Sequence, residues 1–278
     1  MEDHEILLAK VLRRLHAHGM QLRFDKSDFF VSKNTFLGQV IDAETDVGST
    51  LIRSDPKHVM ALLEFPTPTS PASLRRFLGI AVFLQPLLPN YACIAAPLYE
   101  LTKKDVTWHW SQEHENVFQS LKRILSTEPY VALPNGDDPF DLRVDASAVC
   151  LGGALLQRTS RGEKVIAYLS RKFSEAEQRW STWERELFAL VYAVKQYGYL
   201  LIGSPNPLTF VSDHKPLQHY KNFRNIDDKV IRWMDILNSV RWEFEYMKGE
   251  ENSLADALSR STNVSKSPYP LEECTHWA

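Results

Sequence analysis

Cysteine is scarce in this sequence. The 278 residues hold three, Cys93, Cys150 and Cys274, an odd number set far apart. That spacing supports neither a disulfide framework nor a zinc knuckle, and the expectation is free thiols in a reducing compartment. Long apolar runs are missing as well, so no segment has the length that a bilayer-spanning helix needs. The opening Met1-Glu2-Asp3-His4-Glu5 is acidic and polar, without the basic-then-apolar order of a secretory leader. Asn263-Val264-Ser265 is then a chance match to a glycosylation acceptor. There is no surplus of positive charge either. The net charge is −3, which excludes a protein that holds nucleic acid by bulk basicity alone. From Pro139 to Thr262, 17 Lys/Arg face 16 Asp/Glu, so any nucleic acid bound there is held with modest affinity. Internal repeats and low-complexity stretches are absent.

What the sequence does contain is globular. Hydrophobic residues make up 44% and charged residues 24%, enough apolar material for a core and too much for a disordered chain. The length suits two or three small domains. Leu8, Val11, Leu12 and Leu15 recur at helical spacing and Gly19 follows, which predicts a helix over residues 2–18. Residues 20–53 read as short extended segments. Ser70 with Pro71 predicts a capped helix start, and Leu74, Phe77, Leu78 and Ala81 then line one face. A further helix is predicted over 111–126. Pro129 and the loop Pro134-Asn135-Gly136-Asp137-Asp138-Pro139 mark a domain boundary.

Beyond that boundary the rhythm changes to strands. Phe140, Leu142 and Val144 alternate with Asp141, Arg143 and Asp145. Strands follow from Cys150 to Gln157, where Gly152-Gly153 permits close approach, and from Lys164 to Ser170. Ser181 with Glu184 forms a capping box ahead of Leu187, Leu190, Val191 and Val194 at helical spacing. Leu208 to Ser212 reads as a strand, 226–240 as a helix, Trp242-Phe244-Tyr246 as a strand, and Leu254 to Arg260 as a short helix. The order β-β-β-α-β-α-β-α implies an α/β fold with a mixed sheet and helices packed on it.

Four acids fall where such a fold places chemistry. Asp145 ends the first strand, Glu186 lies in the opening turns of the capped helix, Asp213 follows the fourth strand, and Asp256 begins the last helix. Intervals of 41, 27 and 43 residues mean that only tertiary folding gathers them. Taken singly, an Asp at a strand end is most often a turn or cap residue. Glu184 illustrates the bland alternative, since the capping box accounts for it in full. Glu184 and Glu186 point about 200° apart on a helix, so they cannot share one site. Gathered carboxylates repel one another and persist where divalent cations neutralise them. Magnesium favours a few carboxylates, water and phosphate oxygens, and two ions about 4 Å apart suit phosphodiester hydrolysis.

The segments around these acids carry a resemblance. Val144-Asp145-Ala146-Ser147, Gly152-Gly153-Ala154-Leu155-Leu156-Gln157, Tyr168-Leu169-Ser170-Arg171-Lys172, Ser181-Thr182-Trp183-Glu184-Arg185-Glu186-Leu187, Ser212-Asp213-His214-Lys215-Pro216-Leu217 and Ala255-Asp256-Ala257-Leu258-Ser259-Arg260 resemble, in order, the ribonuclease H region of gypsy-type LTR retrotransposon Pol polyproteins. Phe36-Leu37-Gly38, Pro66-Thr67-Pro68, Leu74-Arg75-Arg76-Phe77-Leu78-Gly79 and Pro89-Asn90-Tyr91 resemble the palm end and thumb of that family's reverse transcriptase. Ala95-Ala96-Pro97-Leu98 and the segment from Leu101-Thr102-Lys103-Lys104 to Trp108-His109-Trp110 resemble its connection.

The resemblance implies a palm remnant at 1–65, thumb and connection at 66–137, a ribonuclease H domain with a mixed five-stranded sheet at 138–262, and a tail at 263–278. It implies metal ligation by Asp145, Glu186, Asp213 and Asp256, two Mg2+ ions with Mn2+ as substitute, and cleavage of the RNA strand of RNA–DNA hybrids. Fingers and palm upstream and integrase downstream are the implied partners, with no membrane. The implied setting is intracellular: cytoplasm, virus-like particle or nucleus. The sequence begins after the place of the family's polymerase Asp-Asp motif, so no polymerisation is expected of it. Gln85-Pro86 stands where the family has paired arginines, and Pro86 is expected to break the thumb helix. Tyr246 stands where the family often has a histidine. The alternative is a decayed or domesticated fragment that binds nucleic acid without cutting it.

Overall fold

In the computed structural model, residues 2–43, 49–127, 129–212 and 227–247 are described. The chain opens with helix α1 (Glu2–Ala17), which stops at Gly19 in a left-handed conformation (φ 71°). Strands β1 (Lys33–Phe36), β2 (Gln39–Asp42) and β3 (Leu51–Ser54) form an antiparallel meander. Helix α2 (Pro56–Leu63) follows, capped by Asp55.

Helix α3 (Pro71–Ala81) begins as its sequence dictates. Ser70 is extended, its hydroxyl accepts from the Ser73 N–H at 3.3 Å, and Pro71 occupies the first turn. Leu74, Phe77, Leu78 and Ala81 are all buried. The α-helix ends there and continues as a 3-10 turn, Val82–Leu87, with Pro86 inside it. A proline lacks the N–H for the next α-helical bond, so the expected break is realised as a tightened turn. Short helices α4 (Tyr91–Ile94) and α5 (Ala96–Glu100) lead to α6 (Gln112–Ser126). Phe118, Leu121 and Leu125 of α6 are buried beside α2 and α5.

Strand β4 (Tyr130–Ala132) then pairs antiparallel with β3, Ile52 opposite Val131. The sequence reading assigns no strand between Pro129 and the Pro134–Pro139 loop. Three residues carry too little alternation to register as a strand; the pairing arises from a partner some 80 positions earlier in the chain.

The second sheet has order β7-β6-β5-β8-β9, built from β5 (Phe140–Ala146), β6 (Cys150–Thr159), β7 (Gly162–Lys172), β8 (Leu208–Ser212) and β9 (Trp242–Tyr246). Strands β7, β6 and β5 are antiparallel to one another, and β5, β8 and β9 run parallel. The mixed sheet of the expected α/β fold is therefore present. Helix α7 (Thr182–Leu201) crosses between β7 and β8, and α8 (Asp228–Leu237) between β8 and β9. Phe140, Leu142 and Val144 share a core with Leu187, Leu190, Val191 and Val194 of α7. Gly153 is needed where β6 crosses β5: a Cβ there would lie 2.6 Å from the Arg143 carbonyl oxygen and 2.6 Å from Val144 Cγ1.

The opposite face of β6 and β7 is apolar too. Ala154, Leu156 and Tyr168 enter the core formed by α2, α3, α4, α5 and α6. Polar contacts lock the same seam. Gln85 Nε2 donates to the Ser170 carbonyl at 2.8 Å, the Ala92 N–H donates to Ser170 Oγ at 2.9 Å, and Lys172 Nζ meets Glu100 Oε1 at 2.6 Å. Cys93 and Cys150 are free thiols among the described residues. No helix among those residues is long and apolar enough to cross a membrane.

Candidate functional site

The parallel neighbours β5 and β8 carry Asp145 and Ser212 close to their ends. Arg143 pairs with Val211. Asp145 lies two residues further along β5, opposite Gly152 of β6, and Ser212 closes β8. Helix α7 packs on β5, and its fifth residue, Glu186, is buried at 3% exposure. Glu186 Oε2 accepts a short hydrogen bond from Ser212 Oγ. A carboxylate from the helix is thus tied to the last residue of the strand that Asp213 follows in sequence. Across the sheet, Tyr246 pairs with Ser212, and the Met247 N–H donates to the Ser212 carbonyl at 3.2 Å. The position where the resembled family often has histidine therefore adjoins this same strand end.

Of the four predicted ligands, the backbone of Asp145 and the whole of Glu186 belong to this arrangement. The Asp145 side chain, Asp213 and Asp256 lie outside the described residues. Among the described side chains, no three of His, Cys, Asp and Glu gather as a metal site.

Glu184 is turned elsewhere. Its Oε2 accepts from the Ser181 N–H at 2.7 Å and the Ser181 hydroxyl at 2.6 Å, and its Oε1 meets Lys229 Nζ at 2.5 Å. Burial opposes its charge, but Lys229 and the Ser181 cap outweigh that and hold the carboxyl below its ordinary range. The sequence reading assigns Glu184 to the capping box alone. The structure corrects this by adding Lys229, whose ammonium also sits 4.7 Å from the Trp180 ring centre and 5.2 Å from that of Trp233. Nothing local in the sequence signals a partner 45 residues away.

Sequence reasoning also passed over three residues that matter here. Ser212 reads as the end of a strand, with no sign that its hydroxyl faces a carboxylate. Asp141 falls at a polar position of an alternating strand and so reads as solvent-facing, yet it is 2% exposed and pairs with Arg158 Nη2 at 2.8 Å. Burial, the leading influence, raises its pKa against the pull of Arg158. Ser170 reads only as a strand end within a resembling motif, and the structure makes it the point where Gln85 and Ala92 grip the edge of the sheet.

Comparison with known proteins agrees with this architecture. Residues 110–209 match the RNase H-like domain found in reverse transcriptase. Over 261 residues, 94% of its length, the chain is 31% identical to the retrovirus-related Pol polyprotein from transposon 297 of Drosophila melanogaster; over 270 residues, 93% of its length, it is 31% identical to that from transposon gypsy of the same organism. The chain spans about a quarter of the length of these relatives. The foamy viral protease-reverse transcriptase, solved in complex with an RNA/DNA hybrid, superposes with a TM-score of 0.69 at 23% identity, covering 98% of this chain and 36% of that one. At that identity the likeness establishes the fold. By sequence, then, the chain is similar over most of its length to the Pol polyproteins of transposons 297 and gypsy, and residues 110–209 match the RNase H-like domain found in reverse transcriptase.

Proposed function

We propose that this chain cleaves the RNA strand of an RNA–DNA hybrid by hydrolysis assisted by two divalent metal ions. The observation that carries the reading is Glu186: a buried carboxylate, in a ribonuclease H-like domain, in hydrogen-bond contact with the end of β8. Burying a carboxylate is costly unless a cation or strong donors compensate it. Glu186 Oε2 accepts from a neutral hydroxyl, and a buried carboxylate so placed suits a cation. Asp145, Glu186, Asp213 and Asp256 would hold the ions. A donor set made only of carboxylates suits Mg2+, with Mn2+ as a substitute. When bound, such ions supply an activated water and neutralise charge on the leaving 3′ oxygen.

The remaining work falls to the chain itself. Strand β5 fixes the backbone of Asp145 opposite Gly152 of β6. Ser181, Glu184 and Lys229 pin the first turn of α7, and burial of its apolar face against β5 holds the helix on the sheet. Lys and Arg side chains would hold phosphates and set register, and the 2′-hydroxyls would mark the strand to be cut. The division into palm remnant (1–65), thumb and connection (66–137), ribonuclease H domain (138–262) and tail (263–278) belongs to the same reading. So does expression within a longer polyprotein, fingers and palm before it and integrase after, inside the cell.

The test uses the purified chain and a hybrid labelled on its RNA strand. With Mg2+ or Mn2+, short products with 5′-phosphate and 3′-hydroxyl ends are expected, and EDTA should abolish them. Equal cutting of double-stranded DNA, or binding of hybrid with no cleavage at any metal concentration, overturns the proposal; the second result identifies a non-catalytic binding fragment.

A further inference from the structure

The structure assigns a positioning role to Ser212: its hydroxyl aims the Glu186 carboxylate and so sets the affinity of the neighbouring site for a divalent cation. The inference rests on the proposed metal-dependent function and concerns a residue outside the four acids. Ser212 is fully buried, at 0% exposure, and Glu186 is nearly so. Its Oγ donates to Glu186 Oε2. A hydroxyl O–H directed at one carboxylate oxygen restrains rotation of the group and so fixes the plane in which it is presented. The backbone of Ser212 is fixed independently. It pairs with Tyr246 of β9, and its carbonyl accepts from the Met247 N–H. The donor is therefore mounted on a strand held from its far side, while the acceptor rides on a helix with its own anchor at Ser181, Glu184 and Lys229. The hydrogen bond thus joins two separately anchored elements.

Such outer partners of metal ligands typically contribute 10–100-fold in metal affinity or activity. The functional reading needs Glu186 only to be acidic; the inference requires it to be aimed.

The experiment measures Mn2+ binding by calorimetry and the Mg2+ concentration for half-maximal hybrid cleavage, in the full chain. Ser212→Ala is expected to weaken Mn2+ binding, and to raise the Mg2+ requirement, by roughly 10-fold or more. Ser212→Thr keeps the hydroxyl and should restore both. In a Glu186→Gln background, Ser212→Ala should add little further loss, because the group it aims is already altered. Circular dichroism reports whether each variant folds; if Ser212→Ala does not, the near-isosteric Ser212→Cys replaces it. Unchanged Mn2+ affinity in a folded Ser212→Ala, or equal loss in Ser212→Thr, overturns the inference while the function stands. A wild-type chain that neither binds Mn2+ nor cleaves hybrid removes the functional reading and this inference with it.

Discussion

Helices α1 and α7 carry similar sequence signals and meet opposite fates. In α1, Leu8, Val11, Leu12 and Leu15 recur at the spacing of an amphipathic helix, yet none is buried. Ile6 and Leu7 are 51% and 60% exposed. In α7 the same periodicity buries Leu187, Leu190, Val191 and Val194 against β5. Between residues 4 and 43, only Val40 and Asp42 are buried. Periodicity states which face a helix can bury. Whether the face is covered depends on distant segments, and that information is spread over the whole fold.

The sharpest test of this contrast lies inside α7. Glu186→Gln preserves shape and can still accept from Ser212, but it removes the charge; cleavage should fall by several orders of magnitude with the melting temperature nearly unchanged. A folded variant that still cuts at the wild-type rate would mean that Glu186 is a packing residue. Next in size is the comparison of cores. Leu190→Ala should cost about 2–5 kcal/mol in urea unfolding, as for other fully buried leucines, whereas Leu12→Ala should cost well under about 1 kcal/mol. Equal costs would show that α1 is covered in solution. Gly153→Ala drives a methyl into the Arg143 carbonyl, and a loss of about 1–3 kcal/mol is expected; a neutral result would mean that β5 and β6 separate readily.

The smallest effect concerns Glu184. Glu184→Ala should lose roughly 0.5–2 kcal/mol, as other capping losses do, and keep most of the cleavage rate. Its carboxyl is held below the ordinary range in the folded chain, so its contribution is present above the unfolded value and is lost as pH falls through the folded one. Glu184→Gln can still cap but cannot pair with Lys229, so its stability should decline less than the wild type's as the solution is acidified. Identical acid limbs in thermal melts would show that the Lys229 pair contributes nothing.

These predictions mark where the sequence is readable. Local chemistry was legible: β8 spans Leu208–Ser212 as read from the sequence, Ser70 and Ser181 cap helices, and Pro86 falls in the 3-10 turn that follows α3. Pairings made through space were not. Strand β4 depends on β3, Glu184 on Lys229, Asp141 on Arg158, and Glu186 on Ser212. Each joins residues whose separation carries no periodic signal. The candidate site divides along the same line. Its acids stand out by type and motif, while the hydroxyl that orients one of them is an unremarked serine at a strand end.

Strand β7 is the last in its sheet, and its outer side is sheathed. Gln85 and Ala92 occupy Ser170, Lys172 holds Glu100, and Ala154, Leu156 and Tyr168 lie beneath the helices of the other core. An uncovered strand edge beside apolar surface is a template for self-association. Excising the second sheet at the Pro134–Pro139 loop would strip that sheath away. The isolated piece would retain the whole candidate site and yet be prone to precipitate, so the preceding helices act as its built-in solubilising cover.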